Sequence, residues 1–305
     1  MSILGAGREP GHIAESLDHI NEALDAIEQS RSKTYIAERL FDGLNKLQTE
    51  WMINQPDQSL NEVRAFTEMI LNGVPFTVRN RLLRSQELEA LINLQPLIMN
   101  HYTLRRRQYR PGVEISSALR KEATEEHRKV ASAFRKWEMD ESDEEATRAL
   151  KALAELLYIV RSNIKHGEKT PYGPDRGKAD RDESVCAIVV PIQFMVIDVL
   201  LGAPGTKLVV YGSLAPGEAN HEILADITGD WEQCCIRGAI TESNGLRRLH
   251  RTPASDEMTA HLFAAKELPL LWQRLDSFEG GSYKRRLIPA RTVLSMQVAN
   301  VYLSR

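Results

Sequence analysis

The feature that most constrains this chain is a change of hydrophobic period at Gly202-Ala-Pro-Gly205. Before it, apolar residues recur three and four apart, the spacing that puts them on one face of a helix. After it, short β-forming runs such as Lys207-Leu-Val-Val-Tyr211 end in glycine. One such change, at a Gly/Pro step, predicts a multidomain chain: an all-α helical region over 1–204, then a small, β-rich α+β region over 205–305. The 305 residues suffice for two domains at roughly 100–200 residues each.

In the first region, Ile13, Leu17, Ile20, Leu24 and Ile27 stripe a helix over His12–Gln29, and Ile36, Leu40, Leu44, Leu47 and Trp51 stripe another over Ser32–Ile53. A third helix is expected over Glu62–Leu71, and apolar residues at helical spacing, interrupted by Pro96, over Thr77–Tyr102. Ser142-Asp-Glu-Glu145 is a capping box. It opens a helix carrying Leu150, Leu153, Leu157, Val160 and Ile164. An 18-residue polar segment, Gly167–Ser184, follows as a loop, then a buried helix over Val185–Leu201 kinked at Pro191. That apolar run carries Gln193 and Asp198 and is short for a membrane span of about 20 apolar residues, so no membrane association is expected.

Charge is uneven. Ten basic residues and four acids lie between Arg105 and Lys136, and six acids between Glu138 and Glu145, although the whole chain has a net charge of −3. Most of these charges read as a solvated helix face; an RNA-facing patch is the alternative. Three cysteines, two of them adjacent and none in CxxC spacing, predict neither a disulfide framework nor a cysteine metal site, and the absence of a signal peptide predicts a cytoplasmic protein.

Two constellations carry chemistry. The first closes the long helix at Tyr158-Ile-Val-Arg-Ser-Asn-Ile-Lys-His-Gly167. Arg161 offers a planar fork to phosphate oxygens and His166, just over a turn later, exchanges protons near neutral pH. The same His-Gly step also reads as an ordinary helix C-cap, with Arg161 pairing to Asp182 or Glu183. The Arg161-x4-His166 spacing, the polar loop, Arg181-Asp182 and the final apolar helix resemble the HEPN domains, many of which are metal-independent endoribonucleases of toxin or antiviral defence type. The resemblance implies that His166 activates a ribose 2′-hydroxyl and Arg161 stabilises the phosphorane. It also implies a homodimer, with Lys165, Lys169, Arg176 and Arg181 guiding RNA. Ser162-Asn163 departs from the family's pattern after the arginine.

The second lies beyond Gly205. A strand candidate runs into Tyr211-Gly-Ser-Leu214, where Gly212 is expected to permit a turn that aims successive amides at an anion. Further strands are expected at Cys234–Thr241, Val298–Leu303 and, more weakly, His261–Phe263, with a helix or turn at Leu268–Phe278. Leu275-Asp-Ser-Phe-Glu-Gly-Gly-Ser-Tyr283 places Glu279 after an apolar residue and before two glycines. In this order, with Gly229, Trp231 and Gly238 between them, the motifs resemble the γ-glutamylcyclotransferase-like family, which includes AIG2-like proteins. The resemblance implies intramolecular acyl transfer that yields 5-oxoproline and a free amine, without metal or cofactor. Glu279 would be the acid/base, Tyr211, Gly212, Ser213 and Leu214 would hold substrate, and Tyr283 would complete the motif. Between Gly238 and Leu275 this chain is short and polar, Glu242-Ser-Asn-Gly-Leu-Arg-Arg-Leu-His, where the family draws pocket walls, so the γ-glutamyl substrate stays open.

The leading expectation is an endoribonuclease of toxin or defence type with a γ-glutamylcyclotransferase-like sensing or modifying domain, and an antitoxin or other regulatory partner. The alternatives are a γ-glutamylcyclotransferase on a helical dimerisation scaffold and a non-catalytic interaction protein.

Overall fold

The change of period is the change of architecture. A computed structural model describes residues 11–55, 59–94, 116–165, 176–243, 246–251 and 256–305. The chain forms two compact units, one over Glu22–Val199 and one that joins residues 11–21 to Leu200–Arg305. Grouping 11–21 with the second unit departs from the simple division at residue 204.

The helical unit is built from α1 (Gly11–Glu28, whose first half belongs to the other unit), α2 (Lys33–Ile53), α3 (Glu62–Gly73), α4 (Phe76–Leu83), α5 (Gln86–Asn93), α6 (Ser117–Ala123), α7 (Glu125–Asp140), α8 (Asp143–Lys165) and α9 (Arg176–Leu200). Ser32 accepts the Tyr35 N–H and Asn61 the Arg64 N–H, so α2 and α3 begin where a short side chain satisfies an otherwise unpaired donor. The α8 stripe is buried as its spacing predicts, from Leu150 to Ile164. The α1 stripe drifts: Ala23 and Ala26 are buried while Ile27 is exposed, because 3.6 residues per turn carries a three-four pattern off the face.

Two expectations need correction. The described part of the Thr77–Tyr102 region breaks into α4 and α5 at Arg84-Ser85, with Ser85 capping α5 through the Leu88 N–H, and the expected interruption at Pro96 lies outside the described residues. The polar segment before Ser184 is not all loop: α9 is already helical at Arg176 and continues through Pro191. Glu183 explains part of its persistence. Its carboxylate takes the Lys33 N–H, the Thr34 N–H and the Thr34 hydroxyl, capping α2 from a neighbouring helix. Asp182–Leu200 is long and apolar enough to cross a membrane by composition, yet half of it is buried within the protein.

The second unit is a five-stranded closed barrel in the order β1-β5-β2-β6-β7, with β1 (Lys207–Val210), β2 (Asp230–Arg237), β5 (Glu257–Ala264), β6 (Tyr283–Arg291) and β7 (Met296–Ser304). Neighbours are antiparallel except β1 and β7, which close the barrel in parallel at Leu208↔Asn300. A separate hairpin, β3 (Ala239–Ser243) and β4 (Leu246–His250), pairs Glu242 with Arg247. Strand alternation produces two cores. Val209, Cys234, Leu262, Ile288 and Val301 form one, with members from all five barrel strands. Leu208, Val210, Phe263 and Tyr302 form the other, against Leu268, Leu275 and the loop around Leu214. In α1, Asn21 donates to the Leu287 carbonyl and accepts its N–H, at 3.0 and 2.9 Å, acting on β6 as a neighbouring strand would.

Candidate functional site

Arg161, His166 and Glu279 are the catalytic candidates of the sequence; Arg161 and Glu279 are the two that fall among the described residues, and their surroundings differ. The Arg161 side chain is 15% exposed, and its Nη1 donates to Glu62 at 3.2 Å and to the Tyr158 hydroxyl at 3.1 Å. Tyr158 donates to the same carboxylate at 2.9 Å, and the guanidinium lies 5.0 Å from the Tyr158 ring. These bonds hold the Glu62 carboxyl below the usual range, the Tyr158 hydroxyl first and Arg161 second. The expected pairing of Arg161 with Asp182 or Glu183 is replaced by this cluster, because Glu62 sits at the start of α3, which packs on α8. Lys165 pairs with Asp42 at 3.2 Å. His166 and Lys169 lie outside the described residues. Arg176 opens α9, and Arg181 falls in its second turn.

At one end of the barrel lies a cavity of about 450 Å³. Tyr211, Gly212, Ser213, Leu214, Glu279 and Tyr283 all bound it. Strand β1 delivers the first four as it ends at Val210. The last two come from either end of a short connection, since α10 (Trp272–Glu279) stops at Glu279 and β6 starts at Tyr283. Gly280 terminates the helix at φ 64°, ψ −162°, backbone that glycine alone adopts without strain. That turn fixes where Glu279 stands. The helix itself is held by Trp272, whose indole donates to the Gly205 carbonyl at 3.0 Å, and by Asp276, which accepts the Tyr302 hydroxyl at 2.7 Å and Arg285 at 3.2 Å.

Glu279 is half-buried and makes no hydrogen bond or ion pair among the described residues. Burial alone pushes its carboxyl up to about 7, because the charged form loses water and gains no compensating donor. Tyr211 is raised as well, first by burial and then by the nearby Glu279 charge, and its hydroxyl donates to the Tyr302 carbonyl at 2.7 Å. Tyr211 is therefore a structural neighbour of Glu279 that stays protonated.

The Gly212 expectation is corrected. Its φ is not positive, so the turn does not require glycine for conformation. Instead, a Cβ at Gly212 would meet no protein atom within 4 Å, and the position borders the cavity. The missing side chain leaves room for a ligand. The Gly212, Ser213 and Leu214 carbonyls accept the Ala215 and Asn220 N–H groups and face the His221 ring, at 3.0, 2.9 and 3.2 Å. The N–H groups of the same three residues donate to no acceptor among the described residues. Gly229 and Gly238 have steric reasons of their own. A Cβ at Gly229 would lie 2.7 Å from the Ala264 carbonyl, and one at Gly238 would lie 2.5 Å from Leu249.

Sequence reasoning missed β4, β6 and the hairpin wall. Glu242 and Arg247 border the cavity together with Glu218 and Asn220. Asn244-Gly245 between two β-forming runs was the available signal, a two-residue hairpin pattern. Among the described residues no group of three His, Cys, Asp or Glu side chains could hold a metal, and Cys186, Cys234 and Cys235 are free thiols.

No family model matches the chain, and no curated protein matches it. Among solved structures, YkqA from Bacillus subtilis is similar at 24% identity over 33% of this chain and 36% of its own, with a TM-score of 0.29. An AIG2-like protein from Mus musculus is similar at 21% identity over 32% of this chain and 76% of its own, with a TM-score of 0.28. The chain thus spans about a third of the length of the first and three quarters of the second.

Proposed function

We propose that the barrel unit cyclises γ-glutamyl compounds, releasing 5-oxoproline and an amine. The observation that carries this reading is Glu279: an unpartnered, half-buried carboxyl raised to about 7, bordering a cavity that is also lined by residues with unengaged backbone N–H groups. Cyclisation forms a bond between the substrate's α-nitrogen and its γ-carbonyl carbon and breaks the bond from that carbon to the departing nitrogen. Two protons leave the attacking ammonium and two arrive on the departing amine. One group can relay them only if it takes and gives protons at the same pH, which a carboxyl near 7 does and an ordinary one near 4 does not. The N–H groups of Gly212–Leu214 would receive the negative charge that develops on the carbonyl oxygen. About 450 Å³ is enough for one small ligand of this class.

The test is 5-oxoproline release from a panel of γ-glutamyl amino acids and γ-glutamyl amines, wild type beside Glu279→Gln. Release by the wild type and its loss in the variant is the expected result. A wild type inert towards the whole panel overturns the reading. The ribonuclease expectation draws no support from Arg161, whose guanidinium is engaged by Glu62 and Tyr158.

A further inference from the structure

The β3–β4 hairpin is the part of the cavity wall that neither Glu279 nor the Gly212–Leu214 loop explains. It is held from two sides. The Tyr283 hydroxyl donates to the Arg247 carbonyl at 3.1 Å, and Ser304 at the end of β7 donates to the Leu249 carbonyl at 3.3 Å and lies 3.2 Å from His250 Nδ1. A wall pinned in this way presents its side chains at fixed places. Among the described residues that border the cavity, Arg247 is the one cation, set against Glu218, Glu242 and Glu279.

Its pairing is loose. Arg247 Nη1 stands 3.7 Å from Glu218 Oε1, beyond hydrogen-bond range, and both side chains are about half exposed, 49% and 47%. Exposed pairs of this kind contribute little. A guanidinium carries five donors in a planar fork that fits a carboxylate in two parallel hydrogen bonds, and Glu218 satisfies none of them at this distance. Glu242, directly across the hairpin, keeps the surroundings acidic. A ligand carboxylate that comes within hydrogen-bond range would fill donors that Glu218 leaves open, and this gain works against the repulsion of Glu218 and Glu242.

We propose that Arg247 is a specificity-determining residue that binds a carboxylate on the amine half of the substrate, with Glu218 as the side chain it leaves when the ligand arrives. The inference rests on the cyclisation reading, which assigns the glutamyl half to Glu279 and the Gly212–Leu214 amides. The hairpin is then left to the departing amine. Substrates whose leaving amine bears a carboxylate would be preferred over those whose amine ends in a methyl group.

The test uses γ-glutamylglycine and γ-glutamylmethylamide, which differ only in that carboxylate. In Arg247→Gln the ratio of kcat/KM for the first over the second should fall about 10–100-fold, the size of a charge-assisted hydrogen bond. Arg247→Lys should recover part of the ratio, and Glu218→Gln should raise it. A general disturbance of the wall, or a role for Arg247 in holding the shared glutamyl half, would lower both substrates alike. Turnover of both with a ratio indifferent to Arg247→Gln therefore sinks this inference and leaves cyclisation standing. Calorimetric titration of the two compounds into the same proteins separates the remaining cases. Binding without turnover, with a preference that Arg247→Gln erases, supports the Arg247 subsite and overturns cyclisation. Neither binding nor turnover overturns both.

Discussion

Among the described residues, the helical unit holds Arg161 and the barrel unit Glu279, both chosen for chemistry by sequence reasoning, and the two differ in what surrounds them. Arg161 is held through its Nη1 by a carboxylate and a phenol, although its buried Nε donates to no acceptor among the described residues. Glu279 has cavity on one side and burial on the other, and its proton affinity is set by lost water. A charged side chain bonded into its own fold does structural work. One that the fold desolvates and then leaves without a partner is set up to react, because its burial is offset only when a ligand or proton arrives.

The sharpest way to break this comparison is Glu279→Gln. Loss of the proton relay should lower kcat/KM about 10²–10⁴-fold, read as 5-oxoproline release. The same substitution should raise stability. Folded Glu279 binds its proton up to about 7, whereas in the unfolded chain it releases it near 4.3, so its contribution is fully present below the unfolded value and lost as pH rises through 7. Glu279→Gln should therefore melt above wild type at pH 8, by about 1–3 kcal/mol, with the gap closing by pH 4. A variant no more stable than wild type at pH 8 would show that Glu279 has a partner after all.

Gly229→Ala comes next. Its new methyl would press on the Ala264 carbonyl and the Phe263 ring, and should cost about 1–3 kcal/mol in denaturant unfolding. Arg161→Ala should cost about 0.5–1 kcal/mol, since Glu62 is largely exposed and keeps the Tyr158 hydroxyl, and should not change cyclisation. A stable Arg161→Ala protein would put Arg161 in the same class as Glu279. The smallest effect on folding is expected at Gly212→Ala. No protein atom lies within 4 Å of the added methyl, so stability should stay within about 0.5 kcal/mol of wild type. If the space is reserved for substrate, KM should rise several-fold, measured on the substrate the wild type prefers.

Several parts of this arrangement were readable in order along the chain. The apolar stripe of α8 is an intrinsic helix signal of 3.6-residue period, and its members are buried as spaced. The Tyr211–Leu214 and Leu275–Tyr283 motifs read as two parts of one site, and both border the same cavity. Strand β6 was missed because Lys284-Arg285-Arg286 reads as a polar stretch; its pairing with β7 supplies what its own residues do not advertise. The continuation of α9 to Arg176 was missed for a similar reason. Gly167–Ser184 contains the punctuation of a loop, and the helix that is nevertheless present from Arg176 includes Glu183, whose contact with the start of α2 has no local signal.

The sequence by itself determined the two-part character of the chain, through the period change at Gly202–Gly205, and named several of the residues that border the cavity. Those are local properties: side-chain spacing sets which face is apolar, and a glycine or a carboxylate is visible as itself. Only the tertiary structure decided which charges are engaged. Glu62 reaches Arg161 across 99 positions, and Arg247 reaches the cavity of Glu279 through a hairpin paired by register. Partners so far apart in sequence carry no local signature. Whether a side chain is held or left open depends on what the fold brings beside it, and burial then sets its proton affinity.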